Sequence, residues 1–63
     1  MQVPEGKTKA FVKEDIYQEI LKKGDHGYID GYVQGADSRA YAVFVRKDGV
    51  IGMAAPYQLT AFC

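Results

Sequence analysis

RAYAVFVRKDGVIGMAAPYQL, residues Arg39 to Leu59, decides the fold. Two runs rich in Val, Ile, Ala and aromatics flank Lys47-Asp48-Gly49. Asp-Gly between apolar runs marks a β-hairpin, because the reversal needs a residue that tolerates positive φ. In the first run Tyr41, Val43 and Val45 alternate with Ala40, Ala42, Phe44 and Arg46. In the second, Ile51, Met53 and Ala55 alternate with Val50, Gly52 and Ala54. The small residues on one face predict a close approach there, or a sharp bend. Pro56 stops the second strand, since it has no N–H for the ladder. Pro56 to Leu59 then reads as a single helical turn, and Thr60 to Phe62 as a short closing strand.

Upstream, Met1 to Gly6 reads as a lead-in turn around Pro4 and Gly6. Lys7 to Val12 reads as a first strand, with Thr8, Ala10 and Val12 on one face. From Glu14 to Lys23, acids precede Ile16, Ile20 and Leu21, and Lys22-Lys23-Gly24 follows. That order suits a short helix with Asp15 as N-cap, because acids and bases complement the two ends of the helix dipole. A long loop that tucks the same three apolar residues under the sheet is the other reading of residues 14–23. Gly24 to Gly27 reads as a turn. Tyr28 to Gln34 alternates as a strand, with Ile29, Gly31 and Val33 on one face and Tyr28, Asp30, Tyr32 and Gln34 on the other. Gly31 in mid-strand predicts a bulge, a bend or a close backbone approach. Gly35 to Ser38 is the next turn.

Sixty-three residues suffice for one domain, spanning 1–63, and one core. A chain this short buries only about 60% of the surface its unfolded form exposes, so stability is thin. One Cys excludes an internal disulfide, and one His with one Cys cannot supply the usual four-ligand zinc site. No cofactor is expected. Eight basic and eight acidic residues cancel, which removes the positive field of a protein that tracks phosphate backbones and favours association. No run is long enough to span a membrane, and MQVPEGKTK has no apolar signal-like segment, so a cytoplasmic location is expected.

Strand, long connection, three strands joined by turns, one helical turn and a short last strand resemble an SH3-like small barrel. The likeness rests on KGDHGYIDGYVQ, AYAVFV and DGVIGMAAPYQLTAF, about two thirds of the chain. It implies a mainly β, five-stranded small barrel of the kind found in bacterial and phage proteins, including accessory and inhibitor proteins. Branches of that fold differ in function. A KOW-like, nucleic-acid-binding branch would want a basic first loop; Lys22, Lys23 and Gly24 fit, but Asp25 follows. A peptide-binding branch would want aromatics and acids, which Tyr17, Tyr28, Tyr32, Tyr57, Glu14, Asp15 and Glu19 supply, although its usual Trp is missing. The plasmid-type dihydrofolate reductase branch would want a Gln-Ile-Tyr strand where this chain has Val50-Ile51-Gly52-Met53, so no enzyme is expected.

His26 beside Asp25 has no nucleophile placed near it and reads as a turn residue. Cys63 reads as a chain end rather than a reactive thiol. The tyrosines carry the functional expectation: Tyr28 and Tyr32 share a face around Asp30, and large rings with polar tips anchor interfaces. Tyr17, Tyr28, Asp30, Tyr32 and Tyr57 are therefore the candidate binding residues. Burial of the same rings under the 14–23 segment or under a second copy is the alternative. The expected function is non-catalytic binding of a protein partner, or self-association. A nucleic-acid-binding barrel using Lys22, Lys23, Arg39, Arg46 and Lys47 is the second reading.

Overall fold

The computed structural model describes residues 3–16 and 20–61. Five antiparallel strands form one sheet: β1 (Thr8–Val12), β2 (His26–Gln34), β3 (Ala40–Arg46), β4 (Ile51–Ala54) and β5 (Leu59–Ala61). The order across the sheet is β4-β3-β2-β1-β5, and one 3-10 turn, Pro56–Gln58, leads into β5. The protein is mainly β, as the alternation of its apolar residues requires.

The hairpin that opens the sequence argument forms around a three-residue loop. Arg46 N–H donates to Val50 O, Gly49 N–H donates to Arg46 O, both at 2.8 Å, and Gly49 takes φ +93°. That is the combination of a type I turn and a left-handed residue that matches the twist of a hairpin. The predicted faces hold: Ala42 and Phe44 are buried, as is Ala54 opposite Ala42, while Tyr41, Val43, Val45, Ile51 and Met53 lie on the other face. The small residues are therefore the inner ones. Phe44 fills the core and stands opposite Gly52. Ala10, Val12, Ile16, Leu21 and Leu59 complete the core, with Ile29 packed against it.

Of the two readings for residues 14–23, the described residues of the segment take the loop, and the short helix is corrected. Ile16 and Leu21 form an isolated antiparallel bridge, with N···O distances of 2.7 and 3.2 Å. Both are buried, whereas Ile20 between them is 74% exposed. The apolar spacing that mimicked a helix comes from a loop that dips into the core twice. Asp15 does not cap a helix; its Oδ1 accepts from Lys23 N–H at 2.9 Å, and Asp25 Oδ2 accepts from Lys22 N–H at 3.0 Å. Short acidic side chains that bond nearby backbone favour turns as readily as helix starts.

One more correction concerns β2. His26 and Gly27, expected in the turn, belong to the strand, because β1 pairs with them: Ala10 with Gly27 and Phe11 with His26. A Cβ on Gly27 would overlap the Val45 carbonyl oxygen and lie 2.8 Å from Phe44 Cζ, so the close approach sits at Gly27. At Gly31 nothing lies within 4 Å of such a Cβ. The predicted irregularity near Gly31 is a β-bulge: Ile29 pairs with Phe44 and Gly31 with Val43, leaving Asp30 extra.

Candidate functional site

The bulge decides which side chains can act together. An extra residue shifts the phase of alternation by one, so side chains before and after it exchange faces. Ile29, opposite Phe44, faces the core; past the bulge it is Tyr32, opposite Ala42, that takes the inner phase. Val33 moves to the outer face, opposite Tyr41. Tyr28 and Tyr32 consequently do not share a face. Tyr28 stands on the outer face between Val45 and Lys9, half-buried. Tyr32 is 63% exposed, on the opposite side of the β2–β3 ribbon.

Asp30 is committed to the fold. Its carbonyl oxygen accepts from Lys7 Nζ at 2.8 Å, and its carboxylate pairs with the same ammonium at 3.4 Å. Tyr17 lies outside the described residues. Tyr57, in the 3-10 turn, is 71% exposed and stands at a different site from Tyr28 and Tyr32. The four described candidates are thus not gathered into one cluster.

What the fold does assemble is a groove of about 930 Å³ between the β2–β3 hairpin tip and the 3-10 turn. Its walls include Val33, Tyr41, Met53, Ala55, Pro56 and Tyr57. The groove runs into the outer face of β2, β3 and β4, where Val43 and Met53, then Tyr28, Val45 and Ile51, stand in successive cross-strand rows. No charged side chain stands in these rows until Lys9, beyond Tyr28 on β1. Ile51 is 67% exposed. A contiguous apolar surface of this kind, with charges only at its margin, has the anatomy of a protein interface.

The polar end of the groove is set by the loop between β2 and β3. Asp37 Oδ2 accepts from the Tyr41 hydroxyl at 2.7 Å and its Oδ1 from Arg39 N–H at 3.1 Å. The Tyr41 hydroxyl bond is the main reason the Asp37 carboxyl is held below its ordinary range, with the Arg39 N–H next. The same bond raises the Tyr41 hydroxyl, because ionising it would set two anions together. Gly35 underlies this corner: a Cβ there would lie 2.6 Å from Tyr41 Cε2. The 3-10 turn is closed by Gln58, whose Oε1 accepts from Ala55 N–H at 2.9 Å.

Of the basic residues singled out for nucleic acid, Lys22, Arg46 and Lys47 meet around Asp25 and His26, while Arg39 stands apart. Arg46 is engaged by Asp48, with Nε–Oδ1 at 2.8 Å and Nη2–Oδ2 at 2.6 Å, and by Asp25 at 3.5 Å. Arg39 lies at the other end of β3, about 23 Å away at roughly 3.3 Å per residue of strand. The Asp25 carboxylate is engaged by Lys22 N–H and Arg46, and the His26 ring lies against Phe11, centroids 5.7 Å apart.

Sequence reasoning missed Tyr41, Met53, Ile51 and Asp37 as groove and surface residues, and named Arg39 only for the nucleic-acid reading. A signal was present: both faces of the Arg39–Leu59 hairpin are apolar, and a single sheet in a chain this small can cover only one. Compared with protein-family models, with curated proteins and with solved structures, the chain matches none. No described helix is long and apolar enough to cross a membrane.

Proposed function

We propose that the protein is a non-catalytic binding module that engages another protein through the groove beside the 3-10 turn and the outer face of β2, β3 and β4. The observation that carries this reading is that the β3–β4 hairpin is apolar on its outer face as well as its inner one. Tyr41, Val43, Val45, Ile51 and Met53 stand outside, while Ala42, Phe44, Gly52 and Ala54 stand inside. Apolar burial stabilises by about 25 cal/mol per Å². Placing large apolar groups outside gains only when something covers them. The strand order and the 3-10 turn before the last strand are compatible with an SH3-like small barrel, and that likeness supports a binding role without naming the partner.

The nucleic-acid reading has less support. Arg46, at the centre of the cluster with Lys22 and Lys47, is already neutralised by two carboxylates, and Arg39 lies at the other end of β3. A pull-down from nuclease-treated lysate tests the proposal with three proteins: wild type, Ile51→Ser/Tyr57→Ala and Tyr32→Ala. The partner is expected on wild type and on Tyr32→Ala, and to be lost from the double variant while its circular dichroism spectrum stays native. Equal retention by all three proteins would remove the outer face from consideration. Capture abolished by nuclease treatment alone would favour nucleic acid.

A further inference from the structure

The groove's donors and acceptors are unevenly used, and the imbalance indicates what it takes. Its carboxylate, Asp37, has both oxygens engaged, one by the Tyr41 hydroxyl and one by Arg39 N–H. Gln58 has spent its carbonyl oxygen on Ala55 N–H, which leaves its NH₂ to donate. Gln34 has the opposite balance, its amide nitrogen reaching Ser38 O at 3.4 Å. Among the described residues, the Arg39 guanidinium and the Tyr57 hydroxyl make no hydrogen bond or ion pair, and both line the groove. Its uncommitted side-chain groups are therefore mostly donors, and its guanidinium, whose charge also acts on Asp37, has all its N–H groups open.

Building on the proposed protein-binding role, we infer that the groove takes an extended segment of a partner protein that seats a single Glu or Asp side chain on Arg39 and lays apolar side chains along Tyr41, Pro56 and Tyr57. A carboxylate suits the fork of a guanidinium, which offers two parallel N–H donors. The flanking apolar walls suit the alternate side chains of an extended chain. Asp37 limits the segment to one acid at this point, because a second carboxylate would meet the Asp37 charge. The same repulsion sets a phosphate backbone at a disadvantage: successive phosphates would face one arginine and one aspartate.

Three heptapeptides test this: Ac-Gly-Leu-Val-Glu-Val-Leu-Gly-NH₂ and its counterparts with Gln or Lys at the centre. Each is titrated into ¹⁵N-labelled protein at low and high salt, with octathymidylate as a fourth probe. The Glu peptide is expected to shift the amides of Val33, Arg39, Tyr41 and Tyr57 and to bind about three- to fivefold more tightly than the Gln peptide. Exposed ion pairs give gains of that size, and the preference should shrink at high salt. Arg39→Gln should equalise the two peptides while leaving the remaining amide spectrum in place. Tighter binding of the Lys peptide, preference for octathymidylate, shifts confined to other surfaces, or no shift with any probe would each overturn the inference. The first and third of these would leave protein binding itself standing, whereas octathymidylate preference would overturn both.

Discussion

Gly27 shows how much one missing methyl group can matter. It sits inside β2 with ordinary strand dihedrals, so conformational freedom is not what requires it. The backbone of β3 and the Phe44 ring occupy the space a side chain would need. Gly27→Ala is expected to cost about 1–3 kcal/mol, the usual range for overpacking a core, read as a lower urea midpoint. Gly31→Ala, four residues along the same strand and with open space around it, should be neutral or stabilise by up to about 1 kcal/mol through the unfolded chain. Equal losses at the two positions would contradict the packing argument. From the sequence, Gly31 looked the more constrained, because it interrupts a clear alternation. The Gly27 constraint was illegible, since it comes from a strand nearly twenty residues away.

Among the elements, the long connection between β1 and β2 depends on a strap. Arg46, the last residue of β3, reaches Asp25 and the Ile20 carbonyl oxygen while Asp48 holds its guanidinium by two bonds. The Asp48 carboxyl is held at about 2, chiefly by the Arg46 hydrogen bond. A carboxyl with a folded-state pKa below its ordinary 3.8 binds its proton more readily when unfolded. Its stabilising contribution is therefore complete above about pH 4 and is lost as pH falls towards 2. Urea unfolding between pH 5 and 2 should show a smaller acid loss for Asp48→Asn than for wild type. Arg46→Leu should speed hydrogen exchange at Leu21 and Lys23 more than at Ala42, because it frees the connection without touching the centre of the sheet. Uniformly faster exchange would mean that the arginine supports the whole sheet.

This is also the scale at which the sequence was most misleading. Acids first, bases last and Gly24 at the end are helix signals, yet the same residues close a loop: Asp15 on Lys23 and Asp25 on Lys22. Capping chemistry is local and is shared between helix ends and turns. Only the pairing of Ile16 with Leu21, and their common burial, selects between them.

At the level of the whole molecule, the β3–β4 hairpin is apolar on both faces, and only one of them packs on the core. Ala42, Ala54 and Gly52 lie buried about Phe44, and Tyr41, Val43, Ile51 and Met53 stand on the outer face. If these outer groups serve a partner rather than the core, exchanging Ile51 and Met53 together for serine should change the urea midpoint little. A loss above about 2 kcal/mol, the size of a core deletion, would place them in the folded core instead.

The sequence by itself determined the strands, the hairpin turn at Lys47–Gly49, the stop at Pro56 and the alternation of each run. Those features follow from backbone sterics, missing donors and a two-residue period, all of which act over a few neighbours. Tertiary structure alone decided which face of the hairpin is inside, where the bulge falls and hence that Tyr28 and Tyr32 part company. It also joined Tyr41, Tyr57, Asp37 and Arg39 at one groove. The reason is the same throughout: a strand's period assigns its side chains to two faces, but only the strand beside it, and the segments packed against the sheet, assign those faces to core and surface.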